Sequence, residues 1–408
     1  MDDILFLAHR VPFPPNRGDK IRAHHLLKKL AQIGRVHVGC FAENIEDRAS
    51  EGELEALAAS HCLVNRNKPL VLAGAEAVLA GKPVSLTAFH SARLEQWVRE
   101  TIAAYNVQSI VVFSGQMGQY IPDDFAGEVI VDLCDVDSAK FESYAKAGEK
   151  VWLNGREARL LAQQEDRLAR RADVSILISE AEAELFRQRL QAPAKANVQV
   201  IGNGIDATFF DPASCAPHPI LVGTKGPHFS FTGQMDYRPN EQAVLWAIER
   251  LLPELQARHP EAHLHIVGRN PTAALQQHAD TVGVTIWGEV PDVRPFIAGA
   301  DCVLAPLLIA RGVQNKVLEA MAMARPVLLT PEAATGISAR DGEHWMVEPA
   351  EAQAMAKRFD AIWSNRELGS RIGDAARDFV VSNHVWDAML EPLERFLAVD
   401  AKDARNAA

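Results

Sequence analysis

Residues 302–329 read CVLAPLLIARGVQNKVLEAMAMARPVLL. Cys302–Ala305 is continuously apolar, a loop with Gly312 follows, and a helix is predicted from near Asn315. Val317, Leu318, Met321 and Ala322 form one helical stripe, and Val327–Leu329 is apolar again. The order is strand, loop, helix, strand. The strands are apolar at every position rather than at alternate ones, which marks parallel strands covered on both faces.

The same rhythm runs outward in both directions. Apolar runs occur at Ile4–Ala8, Val36–Phe41, Ile110–Phe113, Val129–Leu133, Val174–Ile178 and Val198–Ile201. A second series occupies Phe229–Thr232, Leu264–Val267, Val284–Trp287, Cys302–Ala305 and Val327–Leu329. Helical spacing lies between them, as in Leu26, Leu27, Leu30 and Ile33, or Leu245, Ile248, Leu251 and Leu252. The pattern predicts an α/β fold with two Rossmann-like, doubly wound parallel-sheet domains facing a central cleft. A chain of 408 residues is long enough for this, at roughly 150 residues per domain. The glycine- and proline-bearing stretch 203–226 is the expected hinge. It separates residues 1–202 from 227–384, and 385–408 is a terminal helix with a frayed tail.

Composition narrows the function. Charged residues at 23% and hydrophobic residues at 48% exclude disorder. The net charge of −11 argues against nucleic acid as a partner, since phosphate backbones need a basic surface. Cys40, Cys62, Cys134, Cys215 and Cys302 are widely spaced and form no CxxC pair, which fits a reducing cytoplasm. No stretch reaches the ~20 apolar residues of a membrane helix, and the N-terminus lacks the basic start of a secretory signal.

In open α/β sheets ligands bind beyond the carboxyl ends of the strands, so the loops there carry the candidate site. The first, His9 to Arg22, holds His9, Arg10, Arg17, Gly18 and Lys20 before a predicted helix, an anion-binding arrangement. It is neither GxGxxG nor GxxxxGK[ST]. Ser114 and Gln116 follow Ile110–Phe113 and offer hydrogen bonds to a ligand's hydroxyls. Asp135 and Asp137 follow Val129–Leu133; they either orient a ligand hydroxyl or cap the helix after Ser138. Their DxD spacing also fits a divalent cation, a reading given little weight outside its structural context. At the opening stretch, Gly312, Val313, Asn315 and Lys316 present a helix start to a pyrophosphate, Arg311 adds charge, and Glu319 stands one turn in to accept ribose hydroxyls. The helical segment from Arg156 to Arg171 mixes Arg156, Arg159, Arg167, Arg170 and Arg171 with Glu157, Glu165 and Asp166, and is expected to be solvated.

The run Asn315–Ala322 followed by Arg325-Pro326-Val327 resembles the donor-site signature of GT-B glycosyltransferases of family 4. Asn203-Gly204-Ile205-Asp206 with Phe209 resembles the family's hinge. Phe231-Thr232-Gly233-Gln234-Met235-Asp236, Val267-Gly268-Arg269, Gly288-Glu289-Val290-Pro291-Asp292 and Ala300-Asp301 with Pro306 follow its order. Together with residues 12–18, 131–138 and 179–182 they resemble the sugar-transferase subgroup associated with exosortase-type exopolysaccharide loci.

The resemblance implies a cytoplasmic, retaining transferase that moves a sugar from a nucleotide-diphosphate donor to a glycan or lipid-linked acceptor. It implies no resident metal or cofactor, and peripheral contact with the inner face of the membrane. Residues 1–202 would then serve the acceptor, through His9, Ser114, Gln116 and Asp137, and 227–384 the donor, with Arg311, Glu319 and Asp135 as the catalytic residues. Donor contacts would be Arg17, Gly18, Gly233, Arg238, Gly268, Gly312, Val313, Asn315, Lys316 and Glu319. Two positions depart from the family. Arg311 stands where the first glutamate of a Glu-x7-Glu pair is usual, and Met235 where an arginine usually clamps the diphosphate, so either Arg238, or Arg311 with Lys316, is expected to take over that work. An arginine cannot accept hydrogen bonds but can hold a phosphate bidentately. Rival readings are a nucleotide-sugar epimerase, a degenerate binding module and a nicotinamide oxidoreductase; the missing GxGxxG counts against the last.

Overall fold

The computed structural model describes residues 3–310 and 312–397. The chain forms two compact units. The first takes the described residues up to Asn203 and those from Leu390 onward; the second is Gly204–Met389. Segment 204–226 therefore packs with the second unit, and the buried Leu390, Leu393 and Leu397 with the first.

The first unit holds seven strands: β1 (Asp3–Ala8), β2 (Arg35–Ala42), β3 (Ser60–Asn65), β4 (Val107–Phe113), β5 (Glu128–Cys134), β6 (Val174–Leu177) and β7 (Val198–Val200). Their order is β3-β2-β1-β4-β5-β6-β7 and every pairing is parallel. The second holds β8 (His228–Thr232), β9 (His263–Val267), β10 (Val284–Gly288), β11 (Cys302–Ala305), β12 (Val327–Leu329) and β13 (Met346–Val347). Their order is β10-β9-β8-β11-β12-β13, again all parallel. The strand order reverses between β1 and β4 and between β8 and β11, the switch points where such sheets open for ligands.

Every apolar run expected to be a strand is one. Phe6 and Phe113 are fully buried in the first sheet, Phe229 and Phe231 in the second; burial of such a side chain contributes about 1.5–3 kcal/mol. Two strands were not expected. β3 reads SHCLVN and β13 only two residues, and both are sheet edges, where one side needs no apolar cover.

The helix Val151–Arg171 corrects another expectation. Its carboxylates are buried, not solvated. Glu157 accepts from Val84 and Ser85 N–H at 2.9 and 3.0 Å, Glu165 from Ser138 N–H at 2.9 Å, and Asp166 from Gln191 N–H at 2.9 Å. They satisfy backbone donors of neighbouring segments that would otherwise be unpaired.

A polar chain crosses the second sheet. Trp287 Nε1 donates to His265 Nδ1 at 3.2 Å. Since indole only donates, neutral His265 carries its proton on Nε2 and donates to His228 Nδ1 at 3.0 Å. His228 Nε2 then meets Thr224 Oγ1 at 3.0 Å. Burial, reinforced by His263 and His228, pushes His265 down to about 3.

Candidate active site

In the second unit, Thr232 pairs with Val267, so Gly233 and Gly268 leave their strands side by side. Their backbones touch. A Cβ on Gly268, at φ +152°, would fall 1.6 Å from the Gly233 carbonyl oxygen. Gly233 N–H donates to Val267 O and Gly268 N–H to Gly288 O, which knits the carboxyl ends of β8, β9 and β10 together. Gly312, at φ +66°, precedes the helix Asn315–Ala322, whose N-cap Gln314 makes no side-chain capping bond. Val317 and Leu318 N–H donate to Gln314 O, so an anion at this helix start would meet the N–H groups of Asn315 and Lys316.

Lys316 reaches back over this edge. Its ammonium lies 4.3 Å from the Phe231 ring centroid and hydrogen-bonds Asn240 Oδ1. Asn240 is buried and donates through Nδ2 to Gln234 O at 2.8 Å, which fixes the turn after Gly233. Burial lowers Lys316 to about 8, against the opposing pull of Glu319. Burial also raises Glu319 to about 7, with Lys316 opposing. A poorly hydrated cation beside an open helix start favours an anion. Arg269 donates to Gln234 Oε1 at 2.8 Å.

In the first unit, Ala8 pairs with Phe113 and Phe113 with Asp132, so His9, Ser114 and Asp135 leave the same edge. His9 is buried between Phe89 and Phe113, 5.8 and 5.5 Å between centroids. Its Nε2 lies 2.7 Å from Arg10 Nη1 and 3.2 Å from Asp19 Oδ2, while Nδ1 has no partner among the described residues. Burial lowers His9 and raises Asp135 and Asp137. Ser114 Oγ donates to Gln116 Oε1 at 2.7 Å. Neither Asp135 nor Asp137 caps the helix Asp137–Lys146. Glu182 takes the Val136 N–H and Glu165 the Ser138 N–H instead, which overturns the capping alternative. Among the described residues no group of three or more His, Cys, Asp or Glu side chains is placed to hold a metal ion.

Residues 226–365 match the family described as Glycosyl transferases group 1. That span holds Gly233, Gly268 and the helix from Asn315. The solved sucrose-phosphate synthase from Thermosynechococcus elongatus is similar over 100% of both chains, at 16% identity and a TM-score of 0.62. HepE of Anabaena in complex with UDP has a TM-score of 0.63 at 16% identity, over 98% of this chain and 100% of its own. WaaG, a glycosyltransferase involved in lipopolysaccharide biosynthesis, has a TM-score of 0.60 at 16% identity, over 97% and 100%. No curated protein matches by sequence. The fold is GT-B: two Rossmann-like domains in one chain.

The second unit gathers Gly233, Gly268, Gly312, Val313, Asn315, Lys316 and Glu319 on elements opening at one sheet edge. Arg238 opens the helix Arg238–Trp246 and is exposed. Arg311 lies outside the described residues. Met235, where the resemblance implies an arginine, is fully buried in the core and serves packing. In the first loop the charges are already paired. Lys20 is buried against Asp47 at 2.6 Å, Arg10 meets Asp19 and Glu43, and Arg17 meets Glu43 and Asp19, each at 3.0 Å. Lys20 is thus a structural cation and not a ligand contact. Gly18 starts the helix Gly18–Ile33 with open space around it. Sequence reasoning missed Asn240, which lies beyond the quoted segment Phe231–Asp236, and Arg269, which closes the quoted segment Val267-Gly268-Arg269, as parts of this edge.

Proposed function

We propose that the chain is a retaining glycosyltransferase that moves a sugar from a nucleotide-diphosphate donor to a glycan or lipid-linked acceptor, in exopolysaccharide assembly in the cytoplasm. The observation that carries this reading is the donor edge of the second unit. It combines the touching glycine turns, an uncapped helix start, the desolvated Lys316 and the Glu319 carboxylate, within the segment that matches the glycosyl transferases. The helix start and Lys316 would take the diphosphate, whose charge grows as it leaves; stabilising such charge is usually the largest catalytic contribution. Arg311, where the family has a glutamate, would add to that charge. Glu319 would accept the ribose hydroxyls. His9, through its unpartnered Nδ1, with Asp135, Asp137, Ser114 and Gln116, would bind and orient the acceptor. Arg17 and Gly18 would meet the donor from the first loop. No protein nucleophile and no resident metal enter this scheme.

A lipid-linked acceptor is supported by the helix Leu70–Ala80. It turns small Ala73 and Ala77 inward and leaves Val71 and Leu79 exposed at 87% and 89%. Arg156 binds the Ala77 and Lys82 carbonyls, which brings exposed Trp152, one helical turn away, beside this face. Exposed Lys82 and Lys150 flank it. Aliphatic residues with tryptophan and lysine at the border suit an interfacial helix. No described helix is long and apolar enough to cross a membrane. Co-sedimentation with anionic liposomes, lost in Val71→Asp/Leu79→Asp, is expected.

Thermal unfolding against nucleoside diphosphates, their sugars and NAD(P) tests the donor reading. A ligand at 100 times its dissociation constant adds about 2.7 kcal/mol. One nucleotide and its sugar should stabilise the protein, and Glu319→Ala should abolish the effect. Turnover only with acceptor separates a transferase from an epimerase. The buried Met235 favours one second reading, donor binding without turnover, which predicts stabilisation but no product.

A further inference from the structure

A cavity of about 350 Å³ lies at the other edge of the second sheet, lined by Asp301, Arg325, Pro326, Trp363, Arg366 and Ser370 among others. Asp301 immediately precedes β11 and Pro326 precedes β12, so the cavity opens at the amino ends of strands whose carboxyl ends face the donor edge. Its volume is within the range of small-molecule sites, about 300–1,000 Å³.

The cations of this cavity are unequal. Arg366 donates to Asp301 Oδ1 at 2.7 Å and stacks 3.7 Å from the Trp363 ring centroid. Asp301 also accepts from His228 N–H at 2.8 Å, so both its oxygens are engaged. Arg325 is largely enclosed, and its buried Nε has no hydrogen-bond partner among the described residues. Burial depresses its pKa, with Asp301 pulling the other way. The plain alternative is a cation that closes the end of the helix Asn315–Ala322. The bonds argue against it, because the Ala322 carbonyl is taken by Arg377.

The backbone holding Arg325 is fixed by a helix C-cap and by fit. Ala324, at φ +54°, is the left-handed residue that ends the helix Asn315–Ala322, with Ala324 N–H on Met321 O at 2.9 Å and Arg325 N–H on Ala320 O at 3.0 Å. A Cβ on Gly373 would fall 2.2 Å from the Ala324 carbonyl oxygen, so the helix Arg366–Asn383 packs directly on this turn. Asp301, the carboxylate that pulls on Arg325, is already engaged by Arg366 and His228 N–H, so holding the guanidinium in this enclosed place costs stability.

We propose that this cavity is a second ligand site, which takes a small oxyanion, a carboxylate or phosphate monoester, carrying an aromatic or apolar body. The oxyanion meets the Arg325 fork, and the body rests against Trp363. The site stands independently of the donor reading.

The test is calorimetric titration of the full chain with phenyl phosphate, benzoate and benzyl alcohol in the millimolar range, roughly 1–10 mM. Saturable binding of at least one anion is expected, and the two anions distinguish phosphoryl from carboxylate preference. Binding should weaken about tenfold or more in Arg325→Gln and persist in Glu319→Ala. Without ligand, Arg325→Gln should unfold at a higher temperature than the wild type, which a merely structural arginine would not allow. Arg325→Lys keeps the charge but not the fork and should bind more weakly, with a native circular dichroism spectrum; it serves if the glutamine variant fails to fold. Absence of saturable anion binding, equal binding by Arg325→Gln, or benzyl alcohol binding as tightly as benzoate overturns the proposal. Loss of binding in Glu319→Ala places the anion at the donor edge and overturns it as well.

Discussion

Glu319 shows how one side chain stores an opportunity for a ligand. Its carboxyl ionises near 7 in the folded chain against an ordinary 4.5, because burial disfavours the charged form. Between those values the unfolded chain releases a proton that the folded chain keeps, so stability falls as pH rises through the window and the cost is complete above 7. The gap corresponds to roughly 3 kcal/mol at most. Glu319→Gln should therefore stabilise the unliganded protein at pH 8, by about 1–2 kcal/mol once the attraction lost by Lys316 is counted, and change little at pH 4.5. Thermal unfolding at the two pH values checks this. Glu319 and Lys316 were legible because they sit three residues apart on one helix. Asn240 was not, because its bond to Lys316 spans 76 residues and only the fold brings them together. The pairing of Arg17, Arg10 and Lys20 was hidden likewise, since Glu43 and Asp47 arrive from beyond β2.

At the scale of elements, the strands were legible because parallel strands covered on both faces are apolar throughout. The edge strands β3 and β13 lack that mark. The inward turn of Glu157, Glu165 and Asp166 was hidden because charge in a sequence does not reveal which backbone donors await it. The touching turns after β8 and β9 give a sharp expectation. Gly268→Ala places a methyl on the Gly233 carbonyl, so it should destabilise the chain by about 3 kcal/mol or more and disrupt nucleotide binding, read by chemical denaturation and titration. The Trp287–His265–His228 chain gives a pH expectation of opposite sign to Glu319. His265 stays neutral in the fold down to about 3, whereas an unfolded histidine gains its proton near 6.5. Its contribution is complete above 6.5 and is lost as pH falls, by about 1.4 kcal/mol per pH unit. His265→Phe should flatten the acid limb of the stability profile relative to wild type.

At the scale of the molecule, the two units carry separate cores, and a multi-domain chain need not melt in one step. Scanning calorimetry with the cognate nucleotide should raise the transition of Gly204–Met389 and leave the other in place. Truncation after Met389 should lower the first unit's transition alone, because it removes the buried Leu390, Leu393 and Leu397. The second unit is an insertion within the first. Its ends are tied by the Ile205–Val385 bridge, by Ile205 N–H to His384 O at 2.7 Å, and by Gly204 lying on the Trp386 backbone. This arrangement imposes a timetable on birth. Lys29 leaves the ribosome 365 residues before its partner Glu394. At about 5–20 residues per second the wait is about 20–70 s. During it the nascent first unit holds an unanswered ammonium and an open apolar seam while the second unit is made and folds. Residues from Leu390 complete the first unit only after the second has been made.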